Sequence, residues 1–169
     1  LAGAIYDANG TGHTDNCTNN APVKILGSTM ENPAAGAFYY RIGGLTSFCR
    51  HAMTNCTNNA GGDVLTSGNL VNVANGTTER NIQVAGCVAY KTKGKIENVD
   101  NYGDVTVNNV ITNLSTTTSV IEAQPVSFAG VCADSSYSLV GCDNHGNVTF
   151  GGSFTGYRMY LGGISANGI

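Results

Sequence analysis

The sequence predicts an all-β fold, a parallel β-solenoid of about four coils built on a repeat of about 42 residues. Three observations carry this reading. A short frame recurs from end to end, its apolar runs are brief and β-branched between Gly, Asn and Asp, and no stretch sustains the i, i+3, i+4 spacing of an amphipathic helix. The frame opens on an apolar-small-Gly element at Leu1-Ala2-Gly3, Ile42-Gly43-Gly44, Val84-Ala85-Gly86, Phe128-Ala129-Gly130 and Leu161-Gly162-Gly163. Its last glycines fall at 3, 44, 86, 130 and 163, in steps of 41, 42, 44 and 33 residues. Periods of this length mean a stacked array in which each unit buries its apolar face only against its neighbours.

The third unit gives the elements in order. An apolar strand runs from Val84 to Tyr90, a polar turn from Lys91 to Lys95, and a second strand through Ile96 and Val99. A turn at Asn101-Tyr102-Gly103 leads to a third strand, Val105-Thr106-Val107. The corresponding third strands are Val23-Lys24-Ile25, Val64-Leu65-Thr66 and Val148-Thr149-Phe150. Each unit then closes with a variable half: Leu26 to Arg41, Ser67 to Gln83, Asn109 to Ser127, and the shorter Gly151 to Tyr160. These halves are expected to be loops, or a fourth strand, decorating one corner. The whole chain is read as one domain, with units 1–41, 42–83, 84–127 and 128–160 and a partial unit 161–169.

Stacking at about 4.8 Å turns equivalent residues into columns. Asn19, Asn58, Asn101 and Asn144 share one offset and are expected to form an Asn ladder, each amide donating to the next carbonyl oxygen. Asn at this corner also suits a left-handed backbone. Cys17, Cys56, Val99 and Cys142 form a second column, and the Val argues for an inward, small apolar position. Both free thiols and at least one disulfide remain open, with Cys17–Cys56 and Cys87–Cys132 the adjacent pairs, the latter one residue out of register. The repeated glycines mark bends or close approaches of backbone.

Only 11% of residues are charged and the net charge is −3, so there is no basic footprint for nucleic acid. No apolar run reaches the roughly 18 residues of a membrane span, so no membrane insertion is expected. The six Asn-x-Ser/Thr sequons, at Asn9, Asn16, Asn55, Asn75, Asn113 and Asn147, and the even cysteine count point to an extracellular or cell-surface setting. The competing explanation is that Asn-x-Thr arises wherever turns are rich in Asn. The chain starts without Met and reads as a mature or excised segment.

The frame Val84-Ala85-Gly86, Gly94-Lys95-Ile96-Glu97-Asn98, Gly103-Asp104-Val105 resembles the GLUG repeat of surface proteins. The fourth unit, with Ala129-Gly130 and Gly146-Asn147-Val148, follows it well. The first two units depart from it at Ala21-Pro22-Val23 and at Gly62-Asp63-Val64, the latter after a local insertion at Ala60-Gly61-Gly62. The resemblance implies a β-solenoid in an extracellular or surface protein, often an adhesin, and brings no catalytic residue.

Asp100 and Asp143, with Asp104, Lys91, Lys93 and Lys95 nearby, are the one constellation suited to acid/base cleavage of a polysaccharide. Thr18 and Thr57 fill the same column, which makes it an ordinary polar position instead. Asp63 and Asp104 supply one carboxylate per unit, too few for calcium. His13, His51 and His145 read as solvated turn histidines. Tyr39, Tyr90 and Tyr157 could stack on sugars. The expectation is therefore a structural or adhesive segment that self-associates through uncapped ends, with glycan binding as the alternative. No enzyme, cofactor or metal is expected.

Overall fold

The computed structural model describes all residues except 1, 6–8, 10, 32–37, 75–79, 116–125 and 169. The first unit contributes β1 (Ala2–Ile5), β2 (His13–Asp15), β3 (Thr18–Asn19), β4 (Val23–Glu31) and β5 (Phe38–Gly43). The second contributes β6 (Thr46–Cys49), β7 (Ala52–Asn58), β8 (Val64–Ala74) and β9 (Arg80–Ala85). The third contributes β10 (Val88–Lys91), β11 (Ile96–Asn101), β12 (Val105–Ser115) and β13 (Val126–Ala129). The fourth contributes β14 (Cys132–Ser135), β15 (Leu139–Val140), β16 (Val148–Phe150), β17 (Ser153–Gly156) and β18 (Met159–Gly162), and β19 (Ser165–Gly168) follows.

These strands form four sheets. Sheet A is ordered β1-β6-β10-β14-β19, sheet B β15-β11-β7-β2 with β3 also on β7, sheet C β16-β12-β8-β4 with β17 also on β12, and sheet D β18-β13-β9-β5. Every pairing between these strands is parallel, and neighbours in a sheet come from successive units. The chain visits A, B, C and D in turn and returns to A.

Two cores result. Cys49, Met53, Cys56, Val88, Ile96, Val99 and Cys132 fill the space between sheets A and B. Val64, Leu70, Ile82, Val84, Val105, Ile111 and Phe128 fill the space between C and D. Each fully buried Leu, Ile or Phe here contributes about 1.5–3 kcal/mol of transfer free energy. Where the cores meet, the D-to-A glycines face the B-to-C asparagines. A Cβ on Gly86 would lie 2.2 Å from Asn101 Oδ1 and 2.3 Å from the Gly130 carbonyl oxygen. Gly44 against Asn58 and Gly130 against Asn144 repeat this arrangement.

Several expectations need correction. The run Val84 to Tyr90 is two strands in different sheets, because the chain turns at Gly86-Cys87 from D into A. Lys91 ends β10 with its side chain fully buried, so it is no turn residue. Register pairs Ala2 with Thr46, so Gly3 is not the equivalent of Gly44 and the first step is longer than the glycine spacing suggests. Of the two forms expected for the variable halves, loop or fourth strand, the described residues take the strand for much of their length. β12 stays paired with β8 from Val105 to Ser115, and sheet D supplies the fourth strand.

Candidate functional site

Each unit places a left-handed residue just before the Cys/Val column: Asn16 (φ 54°), Asn55 (φ 52°), Asn98 (φ 52°) and Gly141 (φ 59°). Asn and Gly are the residues that adopt this conformation at least cost. The left-handed corner therefore sits three residues earlier than the sequence suggested, since Asn19, Asn58 and Asn101 do not have positive φ. The ladder asparagines serve another purpose.

Asn19 Nδ2 donates to Asn58 Oδ1 at 2.8 Å, Asn58 Nδ2 to Asn101 Oδ1 at 2.7 Å, and Asn101 Nδ2 to Asn144 Oδ1 at 2.7 Å. The second proton of each amide goes to a carbonyl of its own turn: Ala21, Gly62 and Gly103, at 2.8, 2.8 and 2.7 Å. Asn144 Nδ2 likewise donates to the Gly146 carbonyl at 2.8 Å. The two-residue insertion of the second unit keeps this bond by moving its acceptor to Gly62. Buried amides with both protons satisfied avoid the desolvation penalty that an unpaired polar group carries.

In the Cys/Val column, Cys56 and Val99 are fully buried and Cys142 nearly so. Cys17, on the outermost rung, also faces inward, lining a cavity with Ile5, Leu45 and Met53, and is exposed because no described strand stacks beyond it. The thiols of Cys17, Cys56 and Cys142 each donate to the carbonyl two residues back, at 3.6, 3.1 and 3.5 Å. All six cysteines are free thiols. Burial pushes the Cys87 and Cys132 thiols well up, and pushes Cys56 up to about 11.

Three of the candidate carboxylates accept backbone N–H groups. Asp100 Oδ1 accepts the Asp143 N–H at 3.2 Å, Asp63 Oδ1 the Asp104 N–H at 2.9 Å, and Asp104 Oδ1 the Asn147 N–H at 2.8 Å. Lys91 points inward, donating to the His51 and Lys93 carbonyls and approaching Cys49 Sγ at 3.6 Å. Desolvation lowers its pKa. Lys95 pairs with Glu97. Lys91 is thus withdrawn into the interior and Lys95 is paired with Glu97, while Asp100 and Asp143 stay on adjacent units. Among the described residues, no group of three His, Cys, Asp or Glu is placed to hold a metal.

His51 is 4% exposed and lies with Nε2 2.5 Å from Thr14 Oγ1, so it is a buried histidine rather than a solvated one. His13 Nε2 is 3.0 Å from Thr54 Oγ1, and His145 stacks on Tyr102 at 4.4 Å.

Of the sequon asparagines, Asn9, Asn16, Asn55 and Asn147 are exposed. Asn113 is 6% exposed and accepts a 2.5 Å hydrogen bond from Asn72 Nδ2, so its amide lies inside the fold and is no place for a glycan on the folded chain. Asn75 lies outside the described residues. Asn16 and Asn55 are also the left-handed corner residues, which accounts for Asn there without reference to glycosylation.

One surface cluster combines aromatic, cationic and carboxylate groups. The Arg41 guanidinium lies 4.2 Å from the Tyr39 ring centroid and 4.1 Å from that of Tyr90, while Phe48 is 5.8 Å from Tyr90. Arg41 Nε donates to Gln83 Oε1, and Gln83 Nε2 donates to Asp134 Oδ2, both at 2.8 Å. Sheets D and A bring Tyr39 and Tyr90 together here. Tyr157 stands elsewhere, beside Arg158. Burial raises the Asp134 pKa, opposed by hydrogen bonds from Gln83 and Asn167 and by the charge of Arg41.

Sequence reasoning missed a second set of interior amides: Asn72–Asn113, and Asn109, whose Oδ1 accepts from Thr66 Oγ1 at 2.7 Å. The signal was present in the even spacing of Val105, Val107, Asn109, Ile111 and Asn113, all buried. Comparison of the chain with protein-family models, curated proteins and solved structures returns no match.

Proposed function

We propose that the chain is a structural or adhesive segment of an extracellular or cell-surface protein, wound as a parallel β-solenoid of about four coils and able to stack end to end. The observation that carries this reading is how the repeated polar side chains are committed. Asn58, Asn101, Asp63, Asp100 and Asp104 each bond to the neighbouring unit. Groups held this way stiffen the stack.

The outer rungs support association. Leu161 and Ile164 near one end, and Leu26 at the other, are more than 40% exposed. Apolar side chains beside unpaired strand edges favour addition of a further strand layer.

The cluster around Arg41 favours glycan binding as a second reading only weakly. Its guanidinium already covers one face of Tyr39 and of Tyr90, and Gln83 bridges Arg41 to Asp134. Electron microscopy of the purified chain at high concentration tests the structural reading. Rods assembled end to end are expected, and monodisperse monomers would argue against assembly.

A further inference from the structure

Cys17 and Cys56 occupy the same column on adjacent units. Thr18 pairs in register with Thr57, and the Thr57 N–H donates to the Cys17 carbonyl at 2.8 Å. The Cys17 N–H points at Cys56 Sγ, 3.4 Å away. Both cysteines follow a left-handed Asn, so their backbone frames match. Neighbouring parallel strands are separated by about 4.8 Å, inside the range of Cα distances that a disulfide spans.

A regular in-register parallel pair holds its Cβ atoms somewhat farther apart than a disulfide prefers. Cys17 can make up the difference because it is exposed and lies on the outermost described rung, with no strand stacked beyond it there. It also lines an open cavity of about 230 Å³, shared with Ile5, Thr14, Leu45 and Met53. That cavity admits a small reagent to the sulfur. Cys56 by contrast is fully buried behind it. Other adjacent pairs are worse placed. Val99 interrupts the column between Cys56 and Cys142, Cys132 pairs with Val88 rather than Cys87, and Cys49 pairs with Lys91.

We infer that Cys17 and Cys56 form an oxidation-dependent disulfide clasp that ties the first unit to the second. The oxidant is a low-molecular-weight disulfide, RSSR. The Cys17 thiolate attacks one sulfur of RSSR, forming Cys17–S–S–R and releasing one RS⁻. Cys56 then loses its proton to solvent base, and its sulfur attacks Cys17 Sγ and expels the second RS⁻. Two protein thiols are oxidised and one RSSR is reduced to two RSH. The high thiol pKa of Cys56 makes Cys17 the entry point and the second step the slow one. This clasp stands on the geometry of the pair and does not require end-to-end stacking or a surface location.

The test uses the intact chain, native and fully reduced, incubated with oxidised glutathione and then alkylated and digested without reduction. Mass spectrometry should find a Cys17–Cys56 cross-linked peptide, with the other four of the six cysteines alkylated. The oxidised chain should melt several degrees higher than the reduced chain, and Cys17→Ser, an exposed and conservative change, should abolish that difference. Six alkylated cysteines, a Cys17–glutathione adduct that never resolves, a dimer linked through Cys17, or a different intramolecular pair would each overturn the inference.

Discussion

Asn101 shows what a single residue does in this fold. Its amide donates to Asn144 and to the Gly103 carbonyl, its oxygen accepts from Asn58, and its side chain fills the space left by Gly86. An unsatisfied buried partner costs about 1–3 kcal/mol, so losing one ladder member leaves two neighbours exposed to that penalty. Asp134 is the opposite case, a half-buried carboxylate whose pKa burial raises. The folded chain binds that proton more tightly than the unfolded chain. Its stabilising effect is therefore complete below the unfolded value, about 4, and is lost as pH rises through the higher folded value. Asp134→Asn keeps an acceptor for Gln83 and removes the buried charge. Thermal melts should show the variant more stable than the parent at pH 7, with the gain shrinking at pH 3.5. A variant destabilised at pH 7 would contradict this.

At the level of elements, the sequence made strands and turns legible where apolar and polar residues follow the usual rules. The strand cores at Ile96, Val99, Val105 and Val107 are all buried, as the pattern predicts. It concealed the length of β12 because polar Asn109 and Asn113 interrupt the apolar alternation, placing Asn109 onward in the variable half. They sit instead at inward positions of an alternating strand, made tolerable by Thr66 and Asn72 on the adjacent unit. That compensation is invisible in one sequence, since the partner lies about 40 residues away in a neighbouring rung. The burial of Lys91 is hidden for the same reason, since one of its carbonyl acceptors belongs to His51 on the adjacent unit. The D-to-A glycines were legible as close approaches, but not what they approach. Gly86→Ala would drive a Cβ into Asn101 and Gly130, whereas a Cβ on Gly163 meets nothing within 4 Å. Urea denaturation should therefore show a loss of roughly 1–3 kcal/mol or more for Gly86→Ala and a change within about 0.5 kcal/mol for Gly163→Ala. Equal effects would refute the packing assigned to this junction.

Across the whole molecule, two apolar cores lie on either side of a polar seam, with sheets A and B around one and C and D around the other. Apolar burial is non-directional and sets no register by itself. The seam does, because an amide that slips by one position loses both of its partners. The ladder is thus the feature that holds successive units in one parallel stack, and it explains why Asn recurs at 19, 58, 101 and 144. Hydrogen exchange of the side-chain amides, followed by NMR on the native chain, tests this most directly. The Nδ2 protons of Asn58 and Asn101 should be protected for hours, while those of Asn16 and Asn147, which donate only to exposed carboxylates, should exchange far faster. Exchange of Asn58 and Asn101 as fast as the exposed amides would contradict the account.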